Sequence, residues 1–138
     1  TVGNKLIIQK QEQPHIKAKF FSVPGGRADG GGTPLAEAKR ELLEETGYIS
    51  NDWTLWMKSS PSTLILYTSY VFIAKNCKRI AAPNLDGGEK IKNTFVSFKD
   101  FLRLSDDPKF RSSFELVNEL LKIRLNPKKV RKFKKLLF

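Results

Sequence analysis

Residues 25–48 read GGRADGGGTPLAEAKRELLEETGY, a glycine-rich segment followed by residues that favour a helix. Thr33 suits the N-cap of that helix, Pro34 its first position, and Gly47 the left-handed residue that ends it. The segment therefore predicts a loop, a helix between Pro34 and Gly47, and a turn.

Three glutamates crowd the C-terminal end of this predicted helix. Glu41 precedes Glu44 and Glu45 by three and four positions, so the three side chains are neighbours on the helix surface. Like charges at this spacing cost about 0.2–0.5 kcal/mol per pair, and the helix dipole adds a penalty. A cation would remove that cost, and oxygen ligands favour Mg²⁺ or Mn²⁺ over zinc. The structural alternative is a solvated face paired with Lys39 and Arg40.

Residues 40–48, RELLEETGY, resemble the core of the Nudix box. The full pattern is G-x5-E-x7-R-E-U-x-E-E-x-G-U, where U is an aliphatic or aromatic residue. Every specified position from Arg40 onward fits, and Gly26 occupies the place of the first glycine. The chain departs from the pattern at Gly32, where the family has a glutamate.

The resemblance implies hydrolysis of a nucleoside diphosphate linked to another moiety. It implies that Glu41 and Glu45 bind divalent cations, that Glu44 assists, and that a backbone carbonyl of Gly25 completes the site. Arg40 would orient these carboxylates, because its planar fork can hold a carboxylate in one geometry. Two metal ions roughly 3.5–4 Å apart can neutralise a pyrophosphate and activate a water molecule.

Further residues are implied by similarity to the ADP-ribose pyrophosphatase branch. Glu89 lies in a late loop that resembles the one carrying a base or an additional ligand, with Asp86 as the weaker candidate and a solvated carboxylate as the alternative. Pro61 lies near a proline typical of that branch, although a proline that only interrupts strands would look the same. Pro61 and Arg27 are the candidates for substrate binding.

The patterning predicts an α/β (α+β) fold of the Nudix type over residues 1–125, with a mixed β-sheet sandwiched between helices. The 138 residues, 40% of them hydrophobic, suffice for one core. A helix with an apolar stripe is expected at Phe110–Ile123, with Phe110, Phe114, Val117, Leu120 and Leu121 on one face. Strands are expected at Lys5–Lys10, Lys19–Val23, Trp53–Met57, Thr63–Ala74 and Lys92–Phe98.

The N-terminal residue, the apolar stretches and the cysteine content suggest whether the chain is a fragment and where the protein is located. The chain begins at Thr1 with neither an initiator methionine nor a signal peptide, so it is expected to be a fragment. It also lacks the extra N-terminal strands that the resembled branch commonly uses for dimerisation, and a homodimer is left open. No apolar stretch approaches the roughly 20 residues that span a bilayer. One cysteine, Cys77, permits no internal disulfide, which favours a cytoplasmic location.

The net charge of +11 is concentrated at the C-terminal end, where eight basic and no acidic residues follow from Lys122 onward. Residues 126–138 form a predicted basic amphipathic tail, with Val130, Phe133 and Leu137 at helical spacing. The tail is expected to lay these three residues on the domain and to be dispensable for turnover. Contact with RNA or another polyanion, or with a membrane surface or partner groove, is the alternative.

The sequence therefore predicts a Mg²⁺- or Mn²⁺-dependent Nudix hydrolase that acts on ADP-ribose-like nucleoside diphosphate derivatives. One alternative is an 8-oxo-dGTP-type nucleoside triphosphate pyrophosphohydrolase. Another is a catalytically weakened Nudix module that binds nucleotide or RNA, motivated by Gly32 and the basic tail.

Overall fold

Seven strands and four α-helices form in the part of the chain that the computed structural model describes, residues 1–13, 16–28, 31–60, 67–85, 87–88 and 90–138. The strands are β1 (Lys5–Gln13), β2 (Ile16–Ser22), β3 (Tyr48–Ile49), β4 (Asp52–Ser59), β5 (Ser69–Lys75), β6 (Lys78–Arg79) and β7 (Lys90–Ser97). The helices are α1 (Pro34–Thr46), α2 (Phe98–Arg103), α3 (Phe114–Arg124) and α4 (Pro127–Leu137), with a 3₁₀ turn at Leu104–Asp106.

The strands pair in three small sheets, ordered β2-β1-β7, β3-β6 and β4-β5. Every strand pair within these sheets is antiparallel, and one parallel bridge joins Phe21 to Phe110. The α+β class is confirmed, but the expected mixed sheet is antiparallel in the described residues. The short connection between β1 and β2 explains part of this, because a parallel pair needs a much longer crossover.

Strand β1 separates two faces of the molecule. Its successive side chains point in opposite directions. Leu6 and Ile8 join the core cluster, whereas Gln9 faces α1 through a hydrogen bond to Glu45. The same cluster contains side chains of the other three helices, namely Phe101, Leu102, Leu116, Leu120, Ile123, Phe133 and Leu137. The three-stranded sheet therefore lies between α1 and the remaining helices, as the sequence predicted.

Helix α3 begins four residues later than the apolar spacing suggested. Ser113 caps it by accepting a hydrogen bond from the Leu116 backbone N–H at 3.3 Å. Phe110 is buried but lies four residues before the helix begins, and Phe114, the first helical residue, is 75% exposed. The predicted stripe is confirmed at Leu120, which is buried, and at Val117, which packs against the core. It was wrong at Phe110 and Phe114, because Phe110 packs from a bridge beside β2 and the fully buried face of α3 consists of Leu116, Leu120 and Ile123.

Other boundaries also differ. Strand β1 continues to Gln13, where the sequence suggested a polar link from Gln11 onward, because Gln11 is buried in a polar network rather than solvated. Strands β3 and β6 were not predicted, since two residues carry no periodic signal. The first part of the expected strand Thr63–Ala74 lies outside the described residues, and β5 starts at Ser69.

Helix α4 docks on the domain as expected, with Phe133 and Leu137 buried in the core cluster and Val130 packed against it. The ring of Phe133 stacks on Trp56 with centroids 4.5 Å apart. Removing residues 127–138 would therefore take two buried side chains from the core, and the expectation that turnover survives this deletion stays a prediction. Its six basic side chains are exposed: Lys128, Lys129, Arg131, Lys132, Lys134 and Lys135. No helix in the described part of the chain has the length and apolarity to cross a membrane.

Candidate functional site

Helix α1 has the ends that its sequence predicted. Thr33 accepts a hydrogen bond from the Ala36 backbone N–H at 3.2 Å, and Gly47 takes a left-handed φ of 75°. Gly47 also lies so close to Ala81 that a side chain there would overlap the Ala81 carbonyl. The Asn84 backbone N–H donates to the Glu44 carbonyl at 2.8 Å. The loop after β6 thus satisfies carbonyls that the helix end leaves unpaired and closes one side of the site.

A cleft of about 270 Å³ opens beside the last turns of α1. It brings together six residues that the sequence singled out: Gly25, Gly26, Arg27, Glu41, Glu44 and Glu45. Asn84 and Leu85 complete its lining. The sequence did not predict Asn84 as a lining residue, because its place depends on how the loop after β6 folds back onto α1.

Gly26 is required by close approach of the loop to the helix. A Cβ built at Gly26 would overlap the carboxylate of Glu41, so a side chain there would displace it. At Gly32, by contrast, a Cβ would meet nothing within 4 Å. Within this loop Gly26 is therefore needed for the position of Glu41, whereas Gly32 is not constrained by a close contact.

Glu45 differs from its two neighbours because it is buried, with 7% of its surface exposed. Its Oε2 atom accepts hydrogen bonds from the Gly25 backbone N–H at 2.8 Å and from Gln9 Nε2 at 3.1 Å. Asn93 Nδ2 donates to the backbone carbonyl of Glu45 at 2.8 Å. Donors of this kind compensate a buried carboxylate for the water that it has lost.

The donor to Glu45 belongs to a buried polar network of Gln9, Gln11 and Ser22, which we call the glutamine network. Gln11 Nε2 donates to Gln9 Oε1 and to Ser22 Oγ, both at 2.8 Å, and Ser22 Oγ lies 3.4 Å from Gln9 Oε1. This network was not predicted from the sequence. Its signal was the two-residue spacing of Gln9 and Gln11 after the apolar residues 6–8, which places both glutamines on the same face of the strand.

Arg40 lies among the remaining carboxylates, as its predicted orienting role requires. Its guanidinium pairs with Glu37, Glu41 and Glu44. Hydrogen bonding from Arg40 lowers the pKa of Glu37. Burial raises the pKa of Glu41, and the charge of Arg40 opposes that shift. The hydrogen bond with Glu37 and the three nearby carboxylates raise the pKa of Arg40.

A larger cavity of about 860 Å³ adjoins the cleft and shares Gly25, Gly26, Arg27 and Glu41 with it. Its lining includes five aromatic residues of β4, β5 and the segment before β5, which we call the aromatic wall: Trp53, Trp56, Tyr67, Tyr70 and Phe72. Residues of the core cluster, among them Leu6 and Phe101, also line it. Polar groups of Gln11, Ser22 and Arg111 also line it. A charged cleft that continues into an aromatic cavity suits a ligand with an anionic part and a ring.

The sequence model of the NUDIX domain family matches residues 2–117 of this chain. The chain belongs to the Nudix family. A methanol dehydrogenase activator of Bacillus methanolicus is 32% identical over 63 residues, which are 44% of this chain and 34% of that protein. This chain therefore spans about a third of the length of that relative.

Two solved structures are similar to this Nudix domain. An ADP compounds hydrolase superposes with a TM-score of 0.75 at 22% identity, covering 98% of this chain and 69% of that one. MutT, from a study of Aliivibrio salmonicida and Vibrio cholerae, superposes with a TM-score of 0.55 at 17% identity, covering 86% of both chains. At these identities the likeness shows the shared fold.

The described residues of the Nudix domain contain no group of three or more His, Cys, Asp and Glu side chains arranged to hold a metal ion. Arg40 is paired with Glu41 and Glu44, while Glu45 faces Gly25 and Gln9. The donor chemistry nevertheless fits a hard divalent cation, since three carboxylates and a backbone loop line one cleft. The metal-binding role of these residues stays a prediction.

Three residues predicted from the sequence lie outside the described part of the Nudix domain. They are Pro61, Asp86 and Glu89. Their neighbours Ser60, Leu85, Gly88 and Lys90 are described, and of these Leu85 lines the cleft. The assignments of Glu89 as a base and of Pro61 as a substrate contact therefore stay predictions.

Proposed function

We propose that this chain is a hydrolase of pyrophosphate bonds that acts on ADP-ribose-like nucleoside diphosphate derivatives and uses Mg²⁺ or Mn²⁺. The observation that carries the proposal is the cleft in which the glycine-rich loop and Arg27 face Glu41, Glu44 and Glu45. The name of the ADP compounds hydrolase with a similar fold agrees with this substrate class.

The chain would hold the metal with Glu41, Glu44, Glu45 and the backbone carbonyl of Gly25. When bound, a divalent cation neutralises phosphate charge and lowers the pKa of a water molecule. Arg40 keeps the partly buried carboxylates of Glu41 and Glu44 in place through its ion pairs, and the Gly25 backbone N–H does the same for Glu45. We further propose that Glu89 accepts the proton of the attacking water.

The larger cavity is the proposed binding site for the nucleoside part of the substrate. Arg27 lines both the cleft and this cavity, so its charge lies where a diphosphate would cross from one to the other. The aromatic wall offers Trp53, Trp56 and Tyr67 as stacking partners for a nucleoside base. Pro61 is the proposed additional contact on this side.

The test is incubation of the purified chain with Mg²⁺ and a panel of ADP-ribose, nucleotide sugars, diadenosine polyphosphates and 8-oxo-dGTP, with products resolved by chromatography. We expect ADP-ribose to yield AMP and ribose 5-phosphate, and a chelator to abolish the reaction. Preference for 8-oxo-dGTP with release of pyrophosphate would instead support the triphosphate hydrolase. Absence of turnover by a folded chain would contradict both enzyme assignments.

A second candidate is a catalytically weakened Nudix module that binds a nucleotide. Gly32 favours it, because this residue replaces the box glutamate and is exposed with open space around it. We expect Gly32→Glu to leave turnover equal or raised, since the new side chain meets no steric obstacle. Tight nucleotide binding without turnover, unchanged by Gly32→Glu, would establish the binding module instead.

The exposed face of α4 is the proposed contact for a polyanion such as RNA. Its six basic side chains form no ion pair within the described residues. Phe133 and Leu137 are committed to the core, so they are not available for insertion into a membrane. We expect binding of a short RNA to weaken steeply with salt, and Lys128→Gln with Lys132→Gln to flatten that dependence. An unchanged salt slope would remove α4 from the contact.

A further inference from the structure

The glutamine network contacts Glu45, one of the carboxylates assigned to the proposed metal site, through Gln9. Gln9 is fully buried in the centre of β1, where it pairs with Ser22 of β2 on one side and Asn93 of β7 on the other. Side chains of Ser22 and Asn93 therefore flank Gln9 across the sheet. This row of polar residues crosses the sheet under the last turn of α1.

The orientation of the Gln9 amide follows from its neighbours. Its Oε1 atom receives the Gln11 Nε2 donor at 2.8 Å and faces Ser22 Oγ at 3.4 Å. A carbonyl oxygen accepts and an amide NH₂ donates, so the NH₂ group is left to point at Glu45. Reversing the amide would set NH₂ against the Gln11 donor and a carbonyl oxygen against the Glu45 carboxylate.

Glu45 is thus held by side chains of two neighbouring strands, β1 and β7, on the same face of the sheet. Gln9 Nε2 fixes its side chain at 3.1 Å, and Asn93 Nδ2 fixes its backbone carbonyl at 2.8 Å. A free glutamate side chain would sample several rotamers, and fixing it costs conformational entropy at the moment a ligand binds. Here folding has already fixed the carboxylate, so metal binding would not have to.

Burying the two glutamines of β1 and Ser22 of β2 is costly for stability unless each side chain is hydrogen-bonded. The adjacent position on the same face, Ile7, shows that this face of β1 accommodates an apolar residue. A glutamine at position 9 therefore has no packing advantage over an apolar residue of similar size. Its specific contribution is the donor that reaches Glu45.

We propose that Gln9 is a positioning residue, held in orientation by Gln11 and Ser22, that presents the Glu45 carboxylate to a divalent cation in the cleft. The inference rests on the proposed function, since it assigns Glu45 to the metal site. It adds residues outside the Nudix box that act on metal binding through Glu45.

The experiment compares Gln9→Met with the unaltered chain. Methionine keeps the unbranched length of glutamine and removes both polar ends. Affinity for Mn²⁺ alone is measured by electron paramagnetic resonance, and kcat and KM are measured separately with the best panel substrate. Partners that orient metal ligands typically change metal affinity by about 10–100-fold, which is the expected loss of Mn²⁺ affinity. We expect kcat to fall at fixed Mn²⁺, with the KM for the nucleotide unchanged.

Ile8→Val is the matched control, because Ile8 is adjacent to Gln9 in β1 and points into the hydrophobic core on the opposite face of the sheet. It should lower stability by about 0.5–1.5 kcal/mol without changing Mn²⁺ affinity. If Gln9→Met does not fold, Gln11→Met replaces it, since Gln11 orients Gln9 and should cause a smaller loss of the same kind.

The outcomes separate the two proposals. Normal Mn²⁺ affinity in a folded Gln9→Met chain overturns the positioning role, whether or not the chain is an enzyme. Loss of Mn²⁺ affinity without turnover by the unaltered chain supports the positioning role and contradicts the hydrolase. Equal losses in Gln9→Met and Ile8→Val would reduce Gln9 to a structural residue.

Discussion

At the scale of residues, the three glutamates near the end of α1 occupy different environments despite their adjacent positions. Glu41 and Glu44 share the guanidinium of Arg40, and Glu45 is buried against Gly25 and Gln9. The alternative of a solvated face paired with Lys39 and Arg40 agrees with the ion pairs of Glu41 and Glu44 to Arg40, but it does not describe the buried Glu45. Burial with dedicated donors is a costly state for a carboxylate, and it points to Glu45 as the residue most sensitive to substitution.

Replacing Glu45 with glutamine tests that sensitivity. The amide keeps the shape of the side chain and removes the charge, so we expect turnover to fall by at least about 100-fold, the scale of a lost transition-state charge contact. Steady-state kinetics in saturating Mg²⁺ measures the change. Glu119→Gln on α3 is the control, and near-normal activity of the Glu45 variant would exclude it from the metal site.

The contact between Gly26 and Glu41 gives a second prediction at this scale. In Gly26→Ala the new methyl group displaces the Glu41 carboxylate, and misplacement by about 1 Å can cost about 100-fold in rate. Gly32→Ala makes the same chemical change in open space and should leave turnover unchanged. The comparison is made by measuring kcat of both variants, and equal values would show that Glu41 tolerates the displacement.

At the scale of elements, β1 and α4 each combine two roles that their sequences encode on alternate faces. Strand β1 sends Leu6 and Ile8 into the core and Gln9 toward α1. Helix α4 buries Phe133 and exposes a continuous set of lysines. Each element therefore contributes to the hydrophobic core with one face and to a proposed functional site with the other.

Phe133→Ala tests the structural half of α4. Phe133 is 4% exposed, and its ring contacts Trp56, Phe98 and Phe101. Truncating such a residue leaves a cavity and should lower the free energy of unfolding by about 3–5 kcal/mol. Urea denaturation followed by circular dichroism measures the loss. Lys132→Ala, on the exposed face, should stay within about 0.5 kcal/mol; equal midpoints for both variants would mean that α4 is not docked.

At the scale of the whole molecule, the cleft exists because four separate segments meet at one end of α1. They are β1, the glycine-rich loop, the loop after β6 and β7, which contribute Gln9, Gly25, Asn84 and Asn93. Hydrogen bonds from these segments hold the last turn of α1 and the Glu45 carboxylate in place.

Metal removal should consequently separate activity from folding. We expect a chelator to abolish turnover and to leave the thermal midpoint of the chain unchanged, because Arg40, Gln9 and Gly25 already compensate the carboxylates. Added Mg²⁺ should raise the midpoint in proportion to its occupancy. Differential scanning calorimetry with and without chelator measures both effects, and unfolding on chelation would contradict this view.

Much of the architecture and of the cleft was predictable from spacing along the chain. The caps of α1 and the box from Arg40 to Tyr48 are local patterns, so they predicted the helix bounds and the family, and they placed Glu41, Glu44 and Glu45 together. The late start of α3 was missed because Phe110 and Phe114 have the same hydrophobicity, and the local signal for the start was Ser113, a preferred N-cap residue, rather than the apolar spacing.

Spacing along the chain could not identify what holds Glu45. Its two donors lie 36 and 20 residues away, at Gln9 and Gly25, and each reaches it through the packing of α1 on the sheet. A glutamine in a strand carries no mark of its partner, since its side chain can donate or accept in any buried polar setting. The local sequence supplied the carboxylates, and the folded chain supplied their orientation, because hydrogen bonds between distant segments form only after those segments pack together.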